Sequence, residues 1–565
     1  MFSLLTNNSK LFLYGILVLG LFFRIFGLNW DSNNHFHPDE RMIVMVALKI
    51  QIPETPLEWE NLQTPQSTLN PNFFAYGSLP IYLLKIAGGV GSLLNPTLSE
   101  YDGITLLGRF LSVLFDVGSI LLLYLLGKKV FSNSVGLLAS LFYSVSVLPI
   151  QLAHFWAVDT PLTFFILLSL YRIVIFKEKP QFKNSALLGL TFGLAISTKV
   201  SAILLFIPLG LSLIQIHLSN PQKTLNAFVS LLSKIILVGL FALGVFALTN
   251  PYSLIDYPTF FKQIGEQQRM TSDAFTFPFT LQYVGKIPYF YELKNIFFWG
   301  LGPIISTASF LGLLLTLINI KRINFGTLLI LIFFISYFLV VGRFAIGFMR
   351  YLLPIYPLLC LFAAISISKV LHMTKVSHFK FYILNSTFSI LLLIWPLSFI
   401  SIYTKPNTRI EGSEWIHRNV PANSTIAREH WDDGLPLSGP KNFKLIDLPI
   451  YDLQNPFIEK QVYNALKTAD YLVVASHRLY VPLQRIALNC EAWKIASHRC
   501  PKSAAQYYQK LFDGSLGFIK VAEFSSLPKV PILNIPINDF SADESFTVYD
   551  HPKVIIFKKI TSPTI

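Results

Sequence analysis

Charge is what this sequence has least of. Only 13% of its 565 residues are Asp, Glu, Lys or Arg, where soluble domains carry about 25%, so a string of soluble domains is excluded. Cysteine is scarce too, and three residues leave no room for a cysteine-rich scaffold or a multi-cysteine zinc site. No P-loop, no Gly-x-Gly-x-x-Gly after a strand and no Ser/His/Asp order in a recognisable context occurs, which leaves ATP-driven transport without support. Internal repeats and low-complexity segments are missing as well.

What is there is apolar. Hydrophobic residues make up 53% of the chain, and the 50 Phe exceed what soluble cores need. A membrane helix takes about 20 mainly apolar residues. Runs of that kind lie near 11–28, 104–126, 135–151, 160–176, 185–198, 200–216, 227–249, 296–318, 325–342, 351–368 and 382–402. The sequence therefore reads as a polytopic α-helical membrane protein of about eleven spans. The first run follows Lys10 and has no small-residue cleavage site after it, so it is expected to be a retained helix.

The net charge of +14 would point to nucleic acid in a soluble chain. Here most of it marks topology. In an eleven-span arrangement Lys10, Lys128, Lys129, Lys177, Lys179, Lys183, Lys223, Lys321, Arg322, Lys369, Lys375 and Lys380 share one side, opposed there only by Glu178. By the positive-inside rule that side is the cytoplasm of a plasma (inner) membrane. The N-terminus is then cytoplasmic. The loop 29–103, the turn 152–159, the loop 250–295 and the tail lie outside. From residue 403 onward long apolar runs stop. Strand-like Tyr471–Ala475, Gly517–Phe524 and Val554–Phe557 alternate with helical Glu411–Asn419 and Ser503–Phe512, the pattern of an α/β domain. Two domains are expected: 1–402 in the membrane and 403–565 extracytoplasmic. The tail holds 19 Lys/Arg against 16 Asp/Glu, leaving +11 of the charge to the membrane part. Cys490 and Cys500 fall in the outer domain, where a disulfide persists, while Cys360 lies in an apolar span as packing.

Two acidic stretches carry the chemistry. NWDSNNHFHPDERM at 29–42 places Asp39, Glu40 and Arg41 after His37-Pro38, at a turn opening a new helix. HFWAVDTP at 154–161 places Asp159 at the outer end of the fourth span, beside His154 and Trp156. Each acid alone reads as a helix cap. Two membrane crossings return both to one face, which favours a shared cavity. Ionisable groups within spans are functional candidates. Lys199 between two short spans and Arg350-Tyr351 suit a lipid phosphate, with Arg343 nearby. Arg109 and Asp116, seven apart on one helix face, are expected to pair with each other. His35-x-His37-x-Asp39 offers metal-type donors, but alternating neighbours rarely complete a coordination sphere, so a divalent metal is possible and not favoured.

On these residues the sequence resembles the GT-C membrane glycosyltransferases, above all the protein O-mannosyltransferases and the bacterial aminoarabinose transferases that modify lipid A. The resemblance rests on Asp-Glu-Arg after the first span, on Asp159, on NPNFFAYGSLPIYLL at 70–84 and on RYLLPIYP at 350–357, and covers roughly 1–402. It implies transfer of a sugar from a polyprenyl-phosphate carrier to an acceptor on a protein, lipid or glycan, with Asp39 as base and Asp159 positioning substrates. The lipid-linked sugar is then a co-substrate, and no metal is required if cations stabilise the leaving phosphate. The aminoarabinose transferases have a Lys where this chain has Asn70, so other cations or amide donors must hold the phosphate. Physically, burial is expected to lift a carboxylate from a pKa near ~4 toward useful basicity, and Arg or Lys stabilises the leaving phosphate. Direct displacement at the anomeric carbon inverts it. The competing expectation from another class is a transporter or flippase of lipid-linked saccharide, favoured by the break at Lys199.

Overall fold

The computed structural model describes residues 9–219, 225–373 and 378–560. Every apolar run forms helix, because a backbone in lipid must satisfy its polar groups internally. Helices span Ser9–Ile25, Tyr101–Val130, Asn133–Ser144, Asp159–Glu178, Phe182–Thr198, Phe206–Leu218, Leu225–Thr249, Pro303–Ile318, Phe325–Gly342, Tyr356–Met373 and His378–Ile400. Among the described residues seven helical stretches are long and apolar enough to cross a membrane by length and composition. The third run is broken, its remainder Val147–Leu152 following a turn at Val145-Ser146. Lys223 and Lys375 of the cytoplasmic set lie outside the described residues, as does the side chain of Lys380.

Loop 29–103 is built rather than slack. The His37 side chain caps Pro38–Lys49, and Pro38 supplies the fixed φ that a first helical turn accepts. That helix and Leu79–Ser92 bury Ile43, Ala47, Ile81 and Leu84 against Ile104 and Trp156. The loop is thereby packed against the start of Tyr101–Val130 and the chain leading into Asp159–Glu178.

The tail carries a five-stranded mixed sheet in the order β2-β1-β3-β5-β4: β1 Thr425–Glu429, β2 Lys444–Leu448, β3 Tyr471–Val474, β4 Phe518–Phe524 and β5 Val554–Lys559. β1 pairs in parallel with β2 and β3, and β5 runs antiparallel to both β3 and β4. Helices Thr408–Asn419 and Lys502–Phe512 match the expected ones. Cys490 and Cys500 form a disulfide, and Cys360 is buried and free. Before β5 the chain leaves the sheet, and Phe546, Val548 and Tyr549 join the hydrophobic core of the membrane helices. Gln151 donates to the Phe546 carbonyl at 2.7 Å and to Asp550 at 2.9 Å, closing that junction.

The expected Arg109–Asp116 pair does not exist. Asp116 accepts from Arg24 of the first helix and from the Tyr143 hydroxyl. Arg109 instead forks onto Asp31 and Glu40, at 2.7 Å to each. The seven-residue spacing does put both on one face, but each meets an opposite charge on another element that suits it better.

Candidate active site

Asp39 stands in the first turn of Pro38–Lys49, with its carboxylate 2.8 Å from the Arg350 guanidinium. Asp159 opens Asp159–Glu178 and accepts from Lys199 at 2.8 Å, while Arg350 Nε lies 3.7 Å from its other oxygen. The two acids distant in sequence thus share one guanidinium. Lys199 occupies an extended residue, φ −160°, between Phe182–Thr198 and a 3₁₀ turn, and its ammonium lies 4.2 Å over the Tyr351 ring. Arg350 lies 4.3 Å over Phe348. Asp159, Arg350 and Tyr351 come from spans, Lys199 from a break, and Asp39 from the loop.

The loop reaches the break through Gly77. Its N–H donates to Thr198 O at 3.1 Å, and a Cβ there would meet Ser197 O at 1.9 Å. Only glycine allows that approach, and it delivers the neighbouring Tyr76 to Asp39, to which Tyr76 hydrogen-bonds. Tyr76, Lys199 and Tyr351 line a cavity of about 310 Å³ together with Gln267, Gln268 and Thr271 of helix Tyr257–Ser272.

The electrostatics correct one expectation. Burial does push the Asp39 carboxyl upward, but Arg350, the Tyr76 hydroxyl and Lys199 outweigh it and hold Asp39 below the usual carboxylate range. Burial drives His37 down to about 3, so its ring is neutral. Its Nδ1 accepts from Glu40 N at 3.3 Å, which leaves the proton on Nε2. That Nε2 and Arg350 Nη1 are both buried without a hydrogen-bond partner. Two donors beside the acids are therefore unspent, whereas buried donors in folded proteins are generally paired.

The remaining sequence candidates fall elsewhere. Glu40 is locked between Arg109 and the Trp156 N–H, at 2.9 Å, so it ties the Asp39 helix to the chain leading into Asp159. Arg41 turns away to Asp433 of the tail, 3.3 Å distant. Asn70 spends its amide on Pro65 O and on Asp256, which precedes helix Tyr257–Ser272, and its oxygen accepts from Asn72 N in its own turn. His154 places both ring nitrogens on the carbonyls of Ile150 and Phe26 and stacks on Tyr403. Trp156 is fully buried against Phe115, with no face open for a sugar. Arg343 is exposed. His35 turns to Asp102, so the His35, His37 and Asp39 side chains take separate partners. Among the described residues no three metal-type donors converge. The sequence reading missed Tyr76, Asp31 and Arg24. A lone Arg inside the first apolar run was a signal for the last, since such a charge demands a partner.

Residues 105–248 match the model of the dolichyl-phosphate-mannose-protein mannosyltransferase family. No curated protein matches the chain in sequence. The archaeal oligosaccharyltransferase AglB of Archaeoglobus fulgidus, in complex with an inhibitory peptide and a dolichol-phosphate, superposes with a TM-score of 0.51 at 12% identity, over 98% of this chain and 89% of its own. The same organism's oligosaccharyltransferase tethered to an acceptor peptide gives 0.50 at 14%, over 99% and 89%. ArnT of Cupriavidus metallidurans bound to undecaprenyl phosphate is a looser likeness, TM-score 0.43 at 14% over 73% of each chain. The chain has the fold of the GT-C glycosyltransferases: a polytopic helical membrane part followed by a sheet-containing C-terminal domain.

Proposed function

We propose that this protein is a membrane glycosyltransferase that moves a sugar from a polyprenyl-phosphate carrier to an acceptor hydroxyl, with inversion, at the external face. The observation that carries the proposal is the joint hold of Arg350 on Asp39 and Asp159, with Lys199 beside them at the cavity. On this reading residues 1–402 are the transferase domain, 403–565 are extracytoplasmic, and the N-terminus is cytoplasmic. The mannosyltransferase family match across 105–248 supports the reaction class, and the relatives' dolichol-phosphate and undecaprenyl-phosphate complexes suggest the carrier chemistry.

The lowered Asp39 fits a base that is switched on by substrate. A carrier phosphate competes with both acids for Arg350 and Lys199. Once the cations turn to the phosphate, the attraction that depresses Asp39 weakens and the effect of burial prevails. The carboxylate then takes the proton of the attacking hydroxyl as the anomeric C–O bond to phosphate breaks, and the cations receive the negative charge of the leaving group. Tyr351, His37 Nε2–H and Arg350 Nη1 are donors or walls for the sugar and phosphate. Glu40 acts by fixing geometry.

The test is Asp39→Asn in proteoliposomes supplied with labelled polyprenyl-phosphate sugar. Loss of transfer by about 10²- to 10⁴-fold, with donor binding retained, is expected. Undiminished transfer by folded variant removes Asp39 as base. A lipid-linked-saccharide transporter is the second reading, because Lys199 does sit at a helix break. That reading requires the donor to cross the bilayer without acceptor, which a sidedness assay on the same vesicles measures.

A further inference from the structure

The segment between β4 and β5 makes a small hairpin whose use the transferase reading leaves open. Lys529 pairs with Pro536 across an isolated bridge, and the Val530 N–H donates to Ile535 O at 2.9 Å. The tip is apolar and bare: Ile532 is 97% exposed, Leu533 66% and Ile535 54%. Ile532 also holds φ at +68°, where a β-branched residue is a true outlier. Three aliphatic side chains on one tip in water, with a strained backbone presenting them, oppose both solubility and stability.

The base of the hairpin fixes where that tip lies. The Lys529 N–H is 3.3 Å from Ser398 O and 3.0 Å from Ser401 Oγ, at the end of His378–Ile400, a helix that exposes Ile390 and Leu391 lower down. Between hairpin and helices is a cleft of about 360 Å³, with Phe26 and Leu397 on its apolar side and Ser401, Lys405, Lys529 and Asn534 on its polar side. The hairpin is thus tied to the end of a membrane helix, with Lys405 and Lys529 both lining the cleft beside it. We propose that residues 530–535 insert into the leaflet on the side of the C-terminal sheet, and that the cleft beneath them seats the phosphate of one phospholipid between Lys405 and Lys529. Interfacial insertion of an apolar tip beside cations is how peripheral segments anchor to a bilayer. Here it holds the outer domain at a fixed height on the membrane.

The full chain in phosphatidylglycerol nanodiscs provides the test. A nitroxide at Leu533→Cys is compared with one at Asn538→Cys, an exposed site at the hairpin's foot, with background taken from the unsubstituted chain whose Cys360 is buried. Insertion gives position 533 high collision with oxygen and low collision with a water-soluble nickel chelate, and gives position 538 the reverse. Equal chelate access at both positions overturns the insertion. So does shielding of position 533 from both quenchers, the sign of a protein partner or second copy. For the cleft, Lys405→Gln/Lys529→Gln protein is washed in detergent and its retained phosphatidylglycerol counted by mass spectrometry. Retention falling by at least about threefold is expected, and unchanged retention overturns the phosphate seat. These lysines lie outside the transferase cluster, so failure here leaves the Asp39 proposal standing.

Discussion

At the scale of single residues the decisive relation is that between Asp39 and Arg350. The guanidinium that keeps the carboxylate ionised also keeps it a poor base, and a catalyst gains only if substrate relieves that grip. The acid limb of the pH–rate profile reports it. Because the depressed carboxyl of the free enzyme stays in its active, deprotonated form down to unusually low pH, wild-type kcat/KM should hold well into acid. Arg350→Gln removes the main charge depressing Asp39, so the acid limb should move to higher pH. The maximal rate should fall by about 10²- to 10³-fold through loss of phosphate stabilisation. A transfer assay from pH 4 to 8 in both proteins checks the direction. A limb that does not move would mean that Arg350 acts on phosphate alone. Glu40 belongs at this scale too. It stands beside Asp39 in the sequence, yet it is fully buried and bidentate with Arg109. Breaking such a pair costs about 3–5 kcal/mol, so its loss would be felt first in folding.

At the scale of elements, Gly77 is the point where loop and break interlock. Gly77→Ala puts a methyl into the Ser197 carbonyl, forcing the loop away and withdrawing Tyr76 from Asp39. Transfer should drop roughly tenfold or more, with some loss of thermal stability too, since the Ser78 N–H to Asn250 and the Phe74 N–H to Gln263 flank that turn. Activity and thermal scans on one preparation separate the two. What was legible in the sequence follows from the strength of each element's own signal. Long apolar runs announce themselves, and so do YLVV of β3 and VIIF of β5, buried on both faces. β1, with TIARE, and β2, with KLIDL, were missed because Arg428 and Asp447 interrupt them, and those two residues turn out to pair across the strands. Asp39 and Asp159 could be placed on one face by topology, and Lys199 and Arg350 were singled out as intramembrane cations. Their meeting could not be foreseen, since it depends on how helices pack. The Arg109–Asp116 error has the same origin: spacing along one helix says which face a charge takes and nothing about which neighbour it meets.

At the scale of the whole molecule the membrane helices and the C-terminal sheet are joined through buried polar groups with opposite pH sensitivities. His551 lies between Asp550 and Asp539, and Asp550 in turn accepts from Gln151 and from the Tyr403 hydroxyl at the top of the helices. Burial alone would lower the His551 pKa, but the two carboxylates override it and lift it to about 10. A group raised in the folded state binds more protons there than when unfolded, so its stabilisation is complete below the unfolded value of about 6.5 and is lost as pH rises toward 10. His37 has the reverse sign. Held neutral by burial at about 3, it resists a proton that the unfolded chain accepts, so stability falls as pH drops below about 6.5. Between them the two histidines set a stability maximum near neutrality. Thermal unfolding in detergent should therefore show a midpoint declining from pH 7 to 10. His551→Gln should be less stable at pH 7 and flatter across that range, because the neutral amide loses the ion pairs and has nothing to titrate. A wild-type alkaline slope that survives unchanged in His551→Gln would show that the junction between sheet and membrane is held by its hydrogen bonds, with the charge on His551 contributing nothing.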